Sequence, residues 1–105
     1  MLSSVKRRDG TLLAMLEGEI DEHSAARVRE RLDKLLADPG INRIEFDLSK
    51  VTLMDSSGIG MLLGRYRRLR ARGGSMDVEG ATGAVERVLR MSGVYRLCTK
   101  GDGSK

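Results

Sequence analysis

The amino-acid sequence predicts an α/β domain built on a mixed β-sheet that opens with a β-hairpin. Segments in which polar and apolar residues alternate are interleaved with segments whose apolar residues recur at three- and four-residue steps, the periods of strands and helices. The order hairpin, helix, strand, helix, strand, helix requires crossover helices between strands of one sheet. At 105 residues the chain fits one domain, residues 1–105.

A β-hairpin is predicted at the start of the chain. Two extended stretches, residues 3–8 and 11–17, flank the dipeptide Asp9-Gly10. Such a dipeptide readily adopts the positive φ angles of a two-residue turn, so the two stretches are expected to pair as antiparallel strands.

An amphipathic helix is predicted over residues 24–37. Either Ser24 or Asp21 is expected to cap its start, and Pro39-Gly40 follows its end. Charged residues separate the members of its apolar face, which are Ala25, Val28, Leu32, Leu35 and Leu36.

The middle of the chain holds a strand and a second helix. Residues 41–48 are apolar at alternate positions, the period of a strand with one better-buried face. Residues 57–71 return to the helical period, and Gly73-Gly74 closes this helix. The expected inward side chains are Ile44, Phe46 and Leu48 in the strand and Ile59, Leu62, Leu63, Tyr66 and Leu69 in the helix.

The last third predicts a short strand over residues 76–79 and a third helix over residues 82–91, with Thr82 as its cap. The inward side chains of this helix are Val85, Val88 and Leu89. Residues 99–105 are small, polar or charged, a composition typical of a mobile tail.

Composition favours a soluble, cytoplasmic protein. The first ten residues carry no apolar stretch of the kind a secretory signal needs, and no later run approaches the roughly 20 apolar residues that span a bilayer. We therefore expect no membrane association. The single cysteine, Cys98, has no cysteine partner for a disulfide or a metal site.

Residues 65–72 concentrate much of the positive charge, with five arginines in eight residues and a net charge of +4 for the chain. Such a basic face suits phosphates or an acidic protein partner. We favour a solvated helix face, because only one aromatic residue accompanies the arginines and no nucleic-acid motif frames them. Direct nucleic-acid binding is therefore not expected; a steep salt dependence of DNA or RNA binding would indicate it.

The segment Asp55-Ser56-Ser57-Gly58 joins the strand region to the second helix. A serine hydroxyl there can cap backbone N–H groups at the helix start. The second serine and the glycines leave the loop unobstructed, so a hydroxyl can equally be presented to a visiting enzyme, and spacing alone leaves both interpretations open. A phosphate at this position adds about 1.5 to 2 negative charges, favoured by the helix N-terminus and disfavoured by Asp55, and should change binding more than folding.

Catalytic and cofactor interpretations have less support. A hydrolase triad would need Ser56, His23 and Asp21, but the flanking glycines of a nucleophile elbow are missing. A dinucleotide fingerprint fails because Leu63 stands where a third glycine is required. The sequence contains neither a P-loop nor a cluster of metal ligands, so we expect no enzyme activity and no cofactor.

Several short segments occur together in a particular order, and the resemblance they carry covers about residues 5–97. They are Glu17-Gly18-Glu19-Ile20-Asp21, Asp47-Leu48-Ser49, Met54-Asp55-Ser56-Ser57-Gly58-Ile59-Gly60, Leu63-Gly64-Arg65-Tyr66, Gly73-Gly74 and Met91-Ser92-Gly93. In this order they resemble the anti-sigma factor antagonists of the STAS domain family, in particular the sporulation branch that controls sigma F. Members of the family have a mixed sheet with helices on one side, in agreement with the predicted order of elements.

The resemblance implies a partner-switching regulator. In this family the unphosphorylated antagonist binds an anti-sigma factor, which is also an ATP-dependent serine kinase, and so releases a sigma factor for RNA polymerase. The kinase phosphorylates the first serine after the aspartate, here Ser56. The antagonist then dissociates until a serine phosphatase restores it.

Further positions follow from the same resemblance. Asp55, Ser57, Gly58 and Ile59 correspond to the loop and helix start that face the kinase, and Asp21 to a neighbouring turn that contacts a basic residue of the kinase. An alternative on the same fold is a scaffold or antagonist in a different, stress-response complex. Relatives usually continue past the third helix into a final strand and helix, so we expect the last helix of this chain to be missing or very short.

Overall fold

The computed structural model describes residues 1–99. Its strands are β1 Leu2–Arg8, β2 Thr11–Ile20, β3 Arg43–Met54 and β4 Ser75–Glu79. Its helices are α1 Glu22–Leu36, α2 Ser56–Arg70 and α3 Gly83–Ser92, followed by a short 3-10 helix, Val94–Leu97.

The strands form one mixed sheet in the order β1-β2-β3-β4. β1 and β2 pair as an antiparallel hairpin, whereas β2 with β3 and β3 with β4 are parallel. α1 and α2 are the crossovers that the two parallel pairs require. The predicted fold class, a mixed α/β sheet that opens with a hairpin, is confirmed.

The helices lie on one side of the sheet because alternate strand residues point to opposite faces. Leu12 pairs with Ile44, and Ala14 with Phe46, and all four side chains are buried. The residues between them, Leu13 and Glu45, lie on the other face and are partly exposed. The buried face meets helix side chains in one core that includes Val28, Leu32, Leu36, Leu62, Leu69, Val85 and Leu89.

In the hairpin turn only one of the two residues has the positive φ angle that was predicted for both. Asp9 has a positive φ of 55°, but Gly10 does not have one. A Cβ atom at position 10 would lie 2.9 Å from the carbonyl oxygen of Gly40. Glycine is therefore required there by the close approach of the loop after α1.

β3 extends six residues beyond the end predicted for it, to Met54 rather than Leu48. Its later buried residues, Val51 and Met54, are three positions apart and break the period of two. The pairing of β3 with β2 shifts register twice in this region, and Gly18 there has a φ of 80°. Such irregularities hide the continuation of a strand from a simple period count.

Helix boundaries differ from the prediction by one or two residues. α1 starts at Glu22, α2 at Ser56 and α3 at Gly83, where residues 24, 57 and 82 were predicted. Thr82 occupies the cap position of α3 but makes no capping hydrogen bond with its side chain. The structure also buries Met61 and Arg65, two α2 residues outside the predicted apolar face.

After α3 the described chain forms only the short 3-10 helix, which buries Val94 and Tyr95. Gly93, with a φ of 85°, separates it from α3. The Thr99 hydroxyl then donates a 2.5 Å hydrogen bond to the buried carboxylate of Asp77. The rest of the predicted mobile tail, residues 100–105, lies outside the described residues.

Candidate functional site

Two helices start side by side at one edge of the sheet. Ile20, at the end of β2, pairs with Met54, at the end of β3. Each strand is followed by one aspartate, Asp21 or Asp55, at the N-cap of the next helix. The backbone N–H of Asp55 also donates a 3.2 Å hydrogen bond to the carbonyl of Ile20. The turn that contains Asp21 therefore lies beside the start of α2.

Asp55 caps α2 with its carboxylate. One oxygen accepts hydrogen bonds from the backbone N–H groups of Ser57, at 2.8 Å, and of Gly58, at 3.3 Å. The cap position precedes the first helical residue, and because α2 starts at Ser56 that position belongs to the aspartate. Neither serine hydroxyl is needed as the cap.

Ser56 is the first residue of α2, and its side chain is exposed. No hydrogen bond within residues 1–99 engages its hydroxyl. The next residue, Ser57, is half-buried. Of the two serines, Ser56 thus has the hydroxyl that is accessible to a visiting enzyme, at a helix end whose backbone N–H groups favour a negative charge.

Gly58 brings the first turn of α2 close against the strand ends. A Cβ atom at this position would lie 2.5 Å from Cγ of Met54 and 3.0 Å from Cγ2 of Ile20. The first distance is shorter than carbon atoms tolerate and the second is tight, so a larger residue here would force Met54 to move. This packing, together with the aspartate cap, holds Ser56 in place on a rigid part of the fold.

An apolar groove of about 410 Å³ borders Ser56. Its walls come from the start of α2 and from α3, and we call it the Met91 groove. Met91 is 81% exposed, and Leu53, which precedes the groove residue Met54, is 51% exposed. The sequence patterns did not predict that Met91 lines a site. The pattern that could have indicated it is an apolar residue three positions after Val88 that lies off the buried face of α3. The groove is lined by Met54, Asp55, Ser56, Ile59, Val88, Met91 and Ser92.

Asp21 forms a reciprocal cap with Ser24 at the start of α1. The Asp21 carboxylate accepts from the Ser24 backbone N–H at 3.0 Å, and the Ser24 hydroxyl oxygen accepts from the Asp21 backbone N–H at 2.9 Å. Hydrogen bonds from the backbone and side chain of Ser24 lower the pKa of Asp21. An exposed negative charge therefore stands beside the start of α2 at neutral pH.

His23 does not join Ser56 in a catalytic arrangement. It is exposed and lines a separate groove beside α1, together with Asp21 and Leu2 of β1. No hydrogen bond within the described chain connects its ring to Ser56. The geometry of the hydrolase triad considered from sequence is therefore not formed by residues 1–99.

The arginines of residues 65–72 do not form one solvated face. Arg65 is buried, and both it and Arg68 pair with Asp33 of α1. Arg72 donates hydrogen bonds to the carbonyl oxygens of Leu36, at 2.8 Å, and Ile41, at 2.9 Å. Part of the basic stretch thus holds α2 against the end of α1, where helix carbonyls lack intrahelical partners.

Three further features bear on the class of site. Within residues 1–99, no group of three or more His, Cys, Asp or Glu side chains could hold a metal ion. Over the same range, none of the helices has the length and apolar character needed to cross a membrane. Cys98 is buried, and burial raises the pKa of its thiol, which disfavours the reactive thiolate.

Comparison with known proteins places this site in a family. Residues 3–101 match the STAS domain model. The chain is 36% identical over 88 residues to an anti-sigma F factor antagonist of Paenibacillus polymyxa, covering 84% of this chain and 75% of that protein. It is 31% identical over 102 residues to an anti-sigma-B factor antagonist of Bacillus subtilis (strain 168), covering 94% and 92%.

A solved structure shows the same fold. The anti-sigma factor antagonist SpoIIAA in its unphosphorylated form superposes with a TM-score of 0.73 and 25% identity, over 84% of this chain and 81% of that one. The sequence match, the mixed sheet with helices on one side and the aspartate-capped Ser-Ser start of α2 agree with one another. The chain therefore belongs to the STAS domain family and, within it, to the anti-sigma factor antagonists.

Proposed function

We propose that the unphosphorylated protein binds an anti-sigma factor that is also a serine kinase, and thereby releases the sigma factor held by that kinase. The kinase, with ATP bound to it, phosphorylates Ser56 and ends the binding until a serine phosphatase removes the phosphate. The observation that carries this proposal is the exposed Ser56 hydroxyl beside the Met91 groove. The protein acts in the cytoplasm as ligand and substrate, and not as an enzyme.

Phosphorylation at Ser56 would oppose binding for an electrostatic reason. The phosphate brings about 1.5 to 2 negative charges to a site that already holds the Asp55 carboxylate. A partner with an apolar surface in the Met91 groove would have to strip water from that phosphate, which is costly without paired cations. The fold itself tolerates the phosphate, because the helix N-terminus favours an anion.

The other proposed site residues have distinct roles around Ser56. Asp55 sets where α2 begins, and Gly58 allows α2 to sit against the strand ends. Ile59 supplies apolar contact to the partner from the groove wall, and Ser57 flanks the phosphoacceptor. The exposed Asp21 carboxylate offers an ion pair to a basic residue of the kinase.

We propose sigma F as the controlled factor, in a sporulation setting. Support comes from the relative named for sigma F, and from the segments Gly64-Arg65-Tyr66 and Met91-Ser92-Gly93 that resemble the sporulation branch. A second candidate is a stress-response system, because a relative named for sigma-B matches over nearly its whole length.

The proposal is tested with purified kinases of both types. The protein is incubated with ATP and a sporulation-type or a sigma-B-type anti-sigma kinase, and added phosphate is located by peptide mass spectrometry. We expect one phosphate on Ser56, transferred faster by the sporulation-type kinase. Binding before and after phosphorylation is measured by calorimetry and should weaken markedly.

Two alanine variants serve as matched controls. Ser56→Ala should bind the kinase and accept no phosphate, whereas Ser57→Ala should still be phosphorylated at Ser56. Phosphate on Ser57 instead, or phosphorylation of Ser56 with unchanged binding, would overturn the switch. Faster phosphorylation by the sigma-B-type kinase would favour the stress-response candidate.

A further inference from the structure

A third groove, of about 560 Å³, runs between α1 and α2. We call it the α1–α2 groove. It shares no lining residue with the Met91 groove, although it starts at Ser57, next to the phosphoacceptor. Its walls include Glu22 and Arg29 from α1, and Gly60, Gly64 and Arg65 from α2.

Arg65 is buried in the wall of this groove without sufficient hydrogen bonds. The residue is only 6% exposed. Its Nε forms an ion pair with a carboxylate oxygen of Asp33, at 3.0 Å, whereas within residues 1–99 its Nη1 has no hydrogen-bond partner. Buried guanidinium donors normally all find acceptors, so Nη1 has unused capacity to donate to an anion.

Positive charge is in excess around Arg65. Asp33 also pairs with Arg68, at 2.9 Å, so one carboxylate is shared by two arginines. Burial lowers the pKa of Arg65; Asp33 opposes this effect, and nearby Arg68 and Arg29 add to it. The arginines thus repel one another across the groove, and an additional negative charge would relieve that repulsion.

The floor of the groove carries no side chain at two positions about one helical turn apart. Gly60 and Gly64 are four residues apart on α2, and a Cβ atom at either position would meet nothing within 4 Å. Glycine inside a helix is unfavourable relative to alanine, yet neither position needs glycine for internal packing. The two glycines leave room for another chain to approach α2 closely. That room is many times the roughly 30 Å³ that one water occupies, and so suits a segment of several residues.

We propose that the α1–α2 groove binds an acidic segment of the anti-sigma kinase, whose carboxylate is held by Arg65 and Arg29. The identity of the partner rests on the proposed function; the charge and shape of its segment rest on the groove. A guanidinium fork matches a carboxylate in a bidentate fashion. Arg65 follows Ser56 by nine residues, so the carboxylate binds about 13 Å along α2 from the phosphoacceptor hydroxyl.

The groove is tested first without the kinase, by NMR of the isotope-labelled full chain. The probe is an eight-residue peptide of alternating Ala and Glu, compared with its Ala and Gln counterpart. We expect the Glu peptide alone to shift the amide signals of Gly60 and Gly64 and the Nε–Hε signal of Arg65. Gly64→Gln, whose Cβ meets nothing within 4 Å, places a side chain in the groove and should abolish the shifts of Gly60 and of the Arg65 Nε–Hε signal.

Arg29→Gln is paired with Arg67→Gln, a substitution of equal charge at an exposed α2 residue outside the groove. The first should weaken binding of the Glu peptide by about five-fold or more, the second by less than about two-fold. Equal shifts with the Gln peptide, or shifts elsewhere on the chain, would overturn the proposal. If inorganic phosphate shifts the same signals and binds as tightly as the peptide, the groove is a site for free anions. If a DNA duplex binds more tightly than the peptide and depends on Arg67, the surface is a nucleic-acid site. Either result would overturn the acidic-segment proposal.

The kinase then separates this inference from the proposed function. We expect Gly64→Gln to weaken kinase binding by about ten-fold while the protein stays folded. Normal kinase binding by Gly64→Gln, with Ser56 still phosphorylated, would overturn the groove proposal alone. A protein whose groove binds the Glu peptide but which neither binds the kinase nor accepts phosphate would overturn the proposed function and the kinase as occupant.

Discussion

The backbone N–H of Asp55 donates a hydrogen bond to the carbonyl oxygen of Ile20, which ties the start of α2 to the end of the neighbouring strand. Asp55 and Asp21 thus occupy equivalent places, each one residue after a paired strand end. The candidate phosphoacceptor, Ser56, therefore lies at a helix start that is fixed to the sheet, and not in a long loop. Substitutions that disturb this junction should affect stability, whereas substitutions at the exposed surface should affect binding alone.

Gly58→Ala should lower the free energy of unfolding by about 1–3 kcal/mol, because the added Cβ would overlap Met54 and Ile20. Gly60→Ala is the matched control two residues further along α2, where a Cβ meets nothing. It should raise stability by about 0.5–1 kcal/mol through the helix preference for alanine. Equilibrium urea unfolding measures both, and equal effects of the two variants would contradict the packing described for Gly58.

Arg72→Met should lower the free energy of unfolding by about 1.5–3 kcal/mol, because its guanidinium satisfies backbone carbonyls at the end of α1 and after it. Arg70→Met removes an equal charge from an exposed position and should change stability by less than about 0.5 kcal/mol. Thermal or urea unfolding compares the pair. Similar values for both would mean that the Arg72 hydrogen bonds are unimportant in solution.

Ser56→Asp should leave the fold intact and stabilise it slightly, by about 0.3–1 kcal/mol, because a carboxylate in the first turn of α2 interacts favourably with the helix dipole. The same variant should bind the kinase much more weakly than the wild type. Unfolding in urea and calorimetric titration of the kinase separate the two effects. A large loss of stability would argue that phosphorylation acts by unfolding the protein.

Met91→Gln should weaken kinase binding by about five- to ten-fold, since it replaces an apolar contact at the edge of the groove with a polar one. Stability should change by less than about 0.5 kcal/mol because the side chain is 81% exposed. Arg87→Gln, also on α3 and exposed but outside the groove, is the control and should bind normally. Normal binding by Met91→Gln would remove the Met91 groove from the interface.

Acidification should destabilise the protein below about pH 4. Hydrogen bonds from Ser24 lower the pKa of Asp21, and the Arg7 guanidinium lowers that of Asp38, so both folded values lie below the ordinary 3.8. At a pH between the folded and unfolded pKa values, the unfolded state binds more protons than the folded state. The stabilisation from these two carboxylates is therefore complete above pH 4, and it is lost as the pH falls through their folded pKa values. Urea unfolding between pH 2 and 6 should show this slope, and Asp21→Asn should reduce it. Stability that rises on acidification would contradict both hydrogen bonds.

The order of elements could be predicted because it depends on local patterns. Ile44, Phe46 and Leu48 alternate along a strand that is buried on one face, and that alternation is visible without knowledge of its neighbours. The end of β3 could not be predicted in the same way. Val51 and Met54 are buried through register shifts against β2, which are a property of the paired strands and not of β3 alone.

The candidate site, too, has one part that the sequence predicts and another that depends on the tertiary structure. The Asp-Ser-Ser-Gly segment and its place before a helix follow from the sequence, because turn and helix-start residues act on their own backbone. Only the tertiary structure decided which of those residues caps the helix, that Arg65 is buried beside Asp33, and that Met91 lies exposed in the same groove as Ser56. Burial and charge pairing depend on residues 30 or more positions apart in the chain, which the sheet and its crossovers bring together.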